Sequence, residues 1–185
     1  MADFPDCVPI LTDGLPGLVL RPHAPGDIDD FTAMCVDPGY RQWTDKPVPY
    51  LRSHAEHFVT ELIPGGWVSG EVYGWAIESE GRFAGNIDLG SVRAGGGDVG
   101  FGLAPWARGR GLMTRALRLV VGYAFDELAW RVVIWRAVAG NEASRAVARK
   151  AGFRRFTTVP DTACLHGERR DEWVASIRPG ELLSG

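Results

Sequence analysis

Cysteine is scarce in this 185-residue chain: Cys7, Cys35 and Cys164 are odd in number, far apart and never in a Cys-x-x-Cys pair. Neither a disulfide framework nor a cysteine zinc site is indicated, and a reducing cytosol is the expected home. No apolar run approaches the ~18 residues that cross a membrane. The opening Met-Ala-Asp-Phe-Pro-Asp-Cys has no basic stretch leading into an apolar one, so no secretory leader is expected. Basic excess is missing too: the formal net charge is -3, which argues against general nucleic-acid binding and leaves room for a local anion site. The chain also lacks internal repeats, low-complexity segments and a Gly-x-Gly-x-x-Gly with a matching acidic ribose ligand, which weakens a dinucleotide-binding reading.

What is present suits a globular α/β protein. With 45% apolar and 23% charged residues, the chain is long enough for one domain with a substantial core and too short for two. Residues 17–185 are expected to form that domain, and residues 1–16, rich in Pro, Asp and Gly, a surface arm.

The informative stretch is 98–118. Val99, Phe101 and Leu103 share one face of a strand, while Gly100 and Gly102 leave the other face bare, open to something lying against the backbone. After Pro105, the run Arg108-Gly109-Arg110-Gly111 leads into an apolar helix predicted over 112–128. A helix start carries unpaired N–H groups and partial positive charge, so acidic side chains normally stabilise it. Here Arg108, Arg110, Arg115 and Arg118 gather with no acid among them, which works against the helix dipole unless an anion compensates. Close-approach glycines, free N–H groups and arginines describe a phosphate or pyrophosphate cradle; an exposed basic helix end that binds nothing is the competing reading.

These residues resemble a known family. Arg108-x-x-Gly111-x-Met113 is similar to the Arg/Gln-x-x-Gly-x-Gly/Ala signature of the GNAT superfamily of N-acetyltransferases, with Met113 standing where a small residue is usual. Gly122-Tyr-Ala-Phe-Asp-Glu-Leu128, Asn141-Glu142-Ala143-Ser144 and Lys150-Ala151-Gly152-Phe153 follow in the family's order, and Gly17-Leu-Val-Leu-Arg-Pro22 fits its opening strand. Together they resemble the ribosomal-protein N-terminal acetyltransferase branch. The resemblance implies the GNAT fold, a mixed sheet of about seven strands flanked by helices. It also implies acetyl transfer from acetyl-CoA, without a metal, to the primary amine of a protein N-terminus or a small molecule. Relatives are often monomers or dimers, and either state is expected here.

Read in order, the chain predicts a strand over 18–21 and a helix over 28–36, capped by Asp27 and stopped by Pro38-Gly39. A loop with Trp43 and Tyr50 follows. Ser53-x-x-Glu56 has capping-box spacing and predicts a helix over 54–63, ended by Pro64-Gly65-Gly66. Strands are expected over 73–78 and 82–89 as a hairpin, with Gly95-Gly96-Gly97 as the next turn. The apolar, β-branched run 132–138 suits a strand covered on both faces. Asn141 would cap and Gly152 end the next helix. Strands over 154–159 and 171–177, separated by a polar excursion, complete the sheet, with parallel pairing favoured in the second half.

Acetyl transfer needs a cofactor seat, a neutral amine, oxyanion stabilisation and a proton for the leaving thiolate. The resemblance implies that backbone N–H groups around Phe101, Gly102 and Leu103 serve the pantetheine and oxyanion. It places the pyrophosphate at Arg108, Gly109, Arg110, Gly111, Leu112, Met113 and Thr114. It makes Asn141 a cofactor contact and Ser144 a cofactor contact and proton donor, although both residue types also cap helices. Trp43 and Tyr50 are candidate substrate contacts, with packing as the alternative. The base is least determined: the glutamate of some relatives is Ala163 here, leaving Asp98 and, second, Asp88, each alternatively a solvated strand-end carboxylate. His54 and His57 at i and i+3 lack a third metal ligand, His166 sits in a polar loop, and Cys164 has no ordered His/Asp partners. Met113 and the missing glutamate keep one alternative open, a catalytically silent acyl-CoA-binding module.

Overall fold

Alternating strand patterns and two-residue turns build most of the sheet. In the computed structural model, residues 8–93 and 95–183 are described; Cys7 and the rest of 1–7 lie outside them. The strands are β1 (Val19–Arg21), β2 (Tyr73–Ser79), β3 (Arg82–Arg93), β4 (Gly96–Leu103), β5 (Val132–Val138), β6 (Arg154–Leu165) and β7 (Glu168–Ile177), in the sheet order β1-β2-β3-β4-β5-β7-β6. β2 and β3 are joined through Glu80 and Gly81, and β6 and β7 through His166 and Gly167; both residues of each turn have positive φ, the backbone twist that matches antiparallel neighbours.

The helices are α1 (Ile28–Val36), α2 (Pro38–Arg41), α3 (Arg52–His57), α4 (Ile63–Ser69), α5 (Leu112–Asp126) and α6 (Glu142–Ala151). Along α5, Met113, Ala116, Leu117, Val120, Val121 and Ala124 recur at three- and four-residue intervals and are buried against Trp75, Ile87, Leu89, Val99 and Val133 of the sheet. Burying each large side chain contributes about 1.5–3 kcal/mol, and Leu117→Ala should cost about 2–5 kcal/mol. α1, α3 and the turn at Phe58–Leu62 that follows α3 cover the opposite face through Phe31, Met34, Ala55 and Val59, packed with Ala76 and Phe83. α6 begins at Asn141, whose side chain accepts from the Ser144 N–H at 3.1 Å, and ends at Gly152 in the left-handed region. Both ends follow the sequence expectation.

Several expectations are corrected. Asp27 does not cap α1: its carboxylate turns back to accept from the Ala24 N–H at 2.8 Å and to pair with both terminal nitrogens of Arg21. Pro38-Gly39 does not merely stop α1 but opens α2, with the Asp37 side chain accepting from the Tyr40 N–H. Ser53 is no cap; α3 starts at Arg52, two residues before the expected 54, and the Leu51 N–H donates to His54 Nδ1 at 3.0 Å. Pro64 does not end the helical run either. A π-turn at Phe58–Leu62 precedes it, and the wider turn accommodates a residue that cannot donate, so the run continues to Gly70.

Gly96 and Gly97 lie within β4 rather than in its turn. β5 is buried on one face only: Val133 and Trp135 are inside and Arg136 is exposed. In the second half only β4 and β5 pair in parallel, because β7 inserts antiparallel between β5 and β6. The polar excursion is itself the tip of the β6–β7 hairpin, paired at Ala163/Arg170, Cys164/Arg169 and Leu165/Glu168. Apart from the buried Ala163, that tip is mostly exposed, so it carries no apolar alternation to read. Residues 8–16, read as an arm, lie on the body: Val8 is buried, Pro9 C=O accepts from Trp75 Nε1, and Asp13 pairs with Arg115.

Candidate active site

β4 and β5 pair from Gly96/Val132 to Val99/Trp135 and then part, although β4 continues to Leu103 and β5 to Val138. The wedge between them is the base of a cleft of about 850 Å³. On β4, the Ala104 N–H is bonded to Ala84 C=O of the β3 strand at 2.8 Å. Main-chain direction alternates along a strand, so the peptide groups of Leu103 and Phe101 face the opening. Loss of pairing with β5 leaves the N–H groups of both residues available at this edge, while the Leu103 C=O accepts from Arg108.

At the end of the cleft where the cofactor is expected, Gly109 and Gly111 both have φ of +75°, a conformation that glycine adopts without steric cost, and Gly111 is the N-cap of α5. No acidic residue stands in the first turn, and the amides of Leu112, Met113 and Thr114 have no acceptor within the helix. Met113 sends its side chain into the core, where it is buried, so its bulk is largely withdrawn from the turn. Asn141, Ser144, Val147 and Lys150 of the α6 stripe form the opposing wall. Ser144 Oγ accepts from Trp135 Nε1 at 3.0 Å, which leaves its own O–H free to donate.

The four arginines are not unbalanced as the local sequence suggests. Arg108 donates to Asp37 at 2.7 Å and to Leu103 C=O at 3.1 Å. Arg110 pairs with Glu80 and turns its guanidinium over Trp106, outside the cleft lining. Arg115 is held by Asp13 and Arg118 by Lys150 C=O. Acids from distant segments do what the helix's own first turn does not.

The other end of the cleft, where the acceptor is expected, is covered by residues 37–46. The Tyr40 ring lies on the bare face of β4, so that a Cβ on Gly102 would come within 2.2 Å of it. Trp43 lines the cleft and reaches toward Gly140 on the far wall. The His166 N–H donates to Asp45 at 2.8 Å and its Nε2 to Arg41 C=O at 3.0 Å, so the β6–β7 tip clasps this lid. Tyr50 stands outside the cleft, buried, beside His54 and hydrogen-bonded to Cys35; burial pushes the Cys35 thiol up to about 11.

Of the two carboxylates, Asp98 is tied to Arg136 at 3.4 Å and lies outside the cleft lining. Asp88 lies inside it. Its Oδ2 accepts from Asn86 Nδ2 at 2.8 Å, while Oδ1 has no hydrogen-bond partner among the described residues and rests 3.1 Å from where a Gly100 Cβ would be. Burial raises the Asp88 carboxyl pKa, and the Asn86 hydrogen bond and the Lys46 charge oppose that shift. His54 and His57 are engaged within their own helical run, by Leu51 and Glu61, and no group of three metal-ligating side chains occurs among the described residues. No described helix is long and apolar enough to cross a membrane. Sequence reasoning missed Tyr40, Lys46 and Asn86, which line the cleft, and His23, which is buried behind Asn86; each is an unremarkable residue in its own segment, brought there by pairing and packing.

The profile of the acetyltransferase (GNAT) domain family matches residues 17–154. The chain is 31% identical over 108 residues to the "Probable N-acetyltransferase YjcK" of Bacillus subtilis (strain 168), a match covering 57% of this chain and 60% of that protein. The curated relatives are spanned over less than two thirds of their own length. Among solved structures, the fold matches RimL, a ribosomal L7/L12 alpha-N-protein acetyltransferase in complex with coenzyme A, with TM-score 0.81, 18% identity and coverage of 92% of this chain and 97% of that one. It also matches Mycobacterium smegmatis RimJ in complex with CoA-disulfide, with TM-score 0.81, 21% identity and coverage of 91% and 85%. The profile runs from before β1 to the first residue of β6, through both walls of the cleft, and the chain belongs to the acetyltransferase (GNAT) domain family.

Proposed function

We propose that this protein transfers the acetyl group of acetyl-CoA to a primary amine, on a protein N-terminus or a small molecule. The observation that carries the reading is the wedge between β4 and β5, with an unpaired strand edge on one side, a helix start free of acids on the other, and an ionisable carboxylate facing it. The cradle suits a pyrophosphate. Glycines at positive φ and three unpaired amides point to main-chain recognition, with Lys150 as the nearby exposed cation. Acetyl-CoA, as co-substrate, supplies the thioester; transfer leaves an amide and a free thiol.

Asp88 is the base in this reading: its Oδ1 takes the proton of the incoming ammonium and frees the nitrogen lone pair. This replaces Asp98, which is paired outside the cleft. The peptide N–H groups of Phe101 and Leu103 are aimed to stabilise the developing oxyanion, where fixed donors are most effective. Ser144, its oxygen already occupied by Trp135 Nε1, keeps a proton to give to the leaving sulfur. Trp43 and Tyr40 border the acceptor. Arg108 holds the lid through Asp37, and the α5 main chain holds the phosphates.

Calorimetric titration with acetyl-CoA, repeated on Gly111→Val, tests the cradle, and turnover with a panel of amines and N-terminal peptides tests the reaction. Weakened binding in the variant and turnover in the wild type are expected. Binding without turnover of any amine would favour the silent acyl-CoA-binding module.

A further inference from the structure

Behind Asp88 lies a buried polar chain that the proposed reaction does not by itself require. His23 is 1% exposed and enclosed by Phe31, Phe58 and Phe83, with ring centroids 6.0, 5.7 and 6.3 Å away. Its Nε2 is 2.7 Å from Asn86 Oδ1, and Asn86 Nδ2 is 2.8 Å from Asp88 Oδ2. Its Nδ1 is buried and has no hydrogen-bond partner among the described residues. A polar side chain buried among aromatic rings normally requires compensation, and here all of it runs toward the cleft.

We infer that His23 is a positioning residue for the base: by donating from Nε2 to Asn86 Oδ1 it fixes the Asn86 amide so that Nδ2 faces Asp88 Oδ2 and leaves Oδ1 for the acceptor ammonium. The inference rests on Asp88 being the base. Its logic is the direction of the donors. With the proton on Nε2, the partnerless Nδ1 is a bare acceptor and the chain reads N–H to O, then N–H to carboxylate. The opposite arrangement flips Asn86, turns its oxygen on Asp88 and strands an N–H on buried Nδ1, a worse defect than an unused lone pair. Burial keeps the imidazole neutral, pushing its pKa down to about 4, so it acts as a fixed donor and not as a proton source.

The charged and titratable groups around the chain are Lys46 and Tyr40 near Asp88, and Asp27 and Arg21 near His23; all are retained in the test. The decisive measurement is the pH profile of kcat/KM for Asp88→Asn, His23→Phe and His23→Gln, with acetyl-CoA affinity and thermal unfolding recorded in parallel. His23→Phe keeps an aromatic ring but removes the donor. It should lower kcat/KM on the order of tenfold and move the acidic limb up by about one pH unit, with acetyl-CoA affinity unchanged. His23→Gln, which restores an N–H, should return both toward wild type. An unmoved limb in a folded His23→Phe, with Asp88→Asn inactive, overturns the inference and leaves the base in place. An unmoved limb in Asp88→Asn removes the base and the relay together. Should His23→Phe fail to fold, nitrogen NMR of the wild-type imidazole decides: a neutral Nε2–H tautomer supports the inference, and Nδ1–H refutes it.

Discussion

At the proposed cofactor end of the cleft, the main chain of residues 101–114 supplies most of the polar groups on one side, and α6 supplies the facing wall. At the acceptor end, the groups come from β3, the 37–46 lid, the β6–β7 tip and His23, segments separated by up to more than a hundred positions. Main-chain sites depend on φ and on missing pairing, so glycines and a helix start suffice to make one. Side-chain sites depend on what packing brings together. The first kind carries a local signature; the second does not.

If the two ends act separately, they should fail separately. The largest effect is expected from Asp88→Asn, which should lower kcat by about 100-fold or more without weakening acetyl-CoA binding measured by calorimetry; a matching loss of affinity would mean that the ends are not separable. Next comes a stability effect confined to the acceptor side. His23 has an ordinary pKa of 6.5 when unfolded and about 4 in the native state, because burial disfavours its charge. The unfolded chain therefore takes up a proton that the native state refuses, and this contribution is present above pH 6.5 and lost as pH falls through 4. It amounts to about 3 kcal/mol; His23→Gln should flatten that part of the thermal-unfolding profile.

Gly111→Val acts at the other end. Forcing a β-branched residue to positive φ costs about 1–3 kcal/mol, so acetyl-CoA affinity should fall about 10- to 100-fold, with the acceptor KM little changed. Ser144→Ala sits where the ends meet. It should lower kcat by roughly tenfold at constant acetyl-CoA affinity. It should also lower the unfolding temperature, because Trp135 Nε1 loses its acceptor, a defect of about 1–3 kcal/mol. The smallest effect is expected for Arg108→Gln. Its guanidinium is committed to a partly exposed pair with Asp37, so acetyl-CoA affinity should change by no more than about fivefold while acceptor KM rises. A larger loss of cofactor affinity would return Arg108 to the pyrophosphate.

Legibility in the sequence followed the same division. α5 and α6 were readable because Met113, Ala116, Leu117, Val120 and Val121 mark one buried stripe, and because Asn141 and Gly152 terminate α6 by local chemistry. The bare face of β4 was readable from Gly100 and Gly102, but what lies on it, the Tyr40 ring, was not. The β6–β7 tip was hidden because its side chains, Ala163 apart, are mostly exposed and its stability lies in main-chain pairing, which any residue can provide. The charge argument at α5 misled for a related reason. A window of twenty residues contains the four arginines but not Asp13, Asp37 or Glu80, which neutralise three of them from elsewhere.

By itself, the sequence determined the mixed α/β class, the start of α5 and both ends of α6, since each follows from periodicity, capping and glycine placement within a few turns of chain, and it indicated the family through the resemblance of its motifs; α5 ends at Asp126, two residues short of the expected 128. Only the tertiary structure decided which carboxylate enters the cleft. Asp88 and Asp98 lie on neighbouring antiparallel strands with similar local surroundings, and the choice between them rests on where β5 stops pairing and which side chain Arg136 holds. Those are long-range facts, set by register and packing, and no short stretch of sequence encodes them.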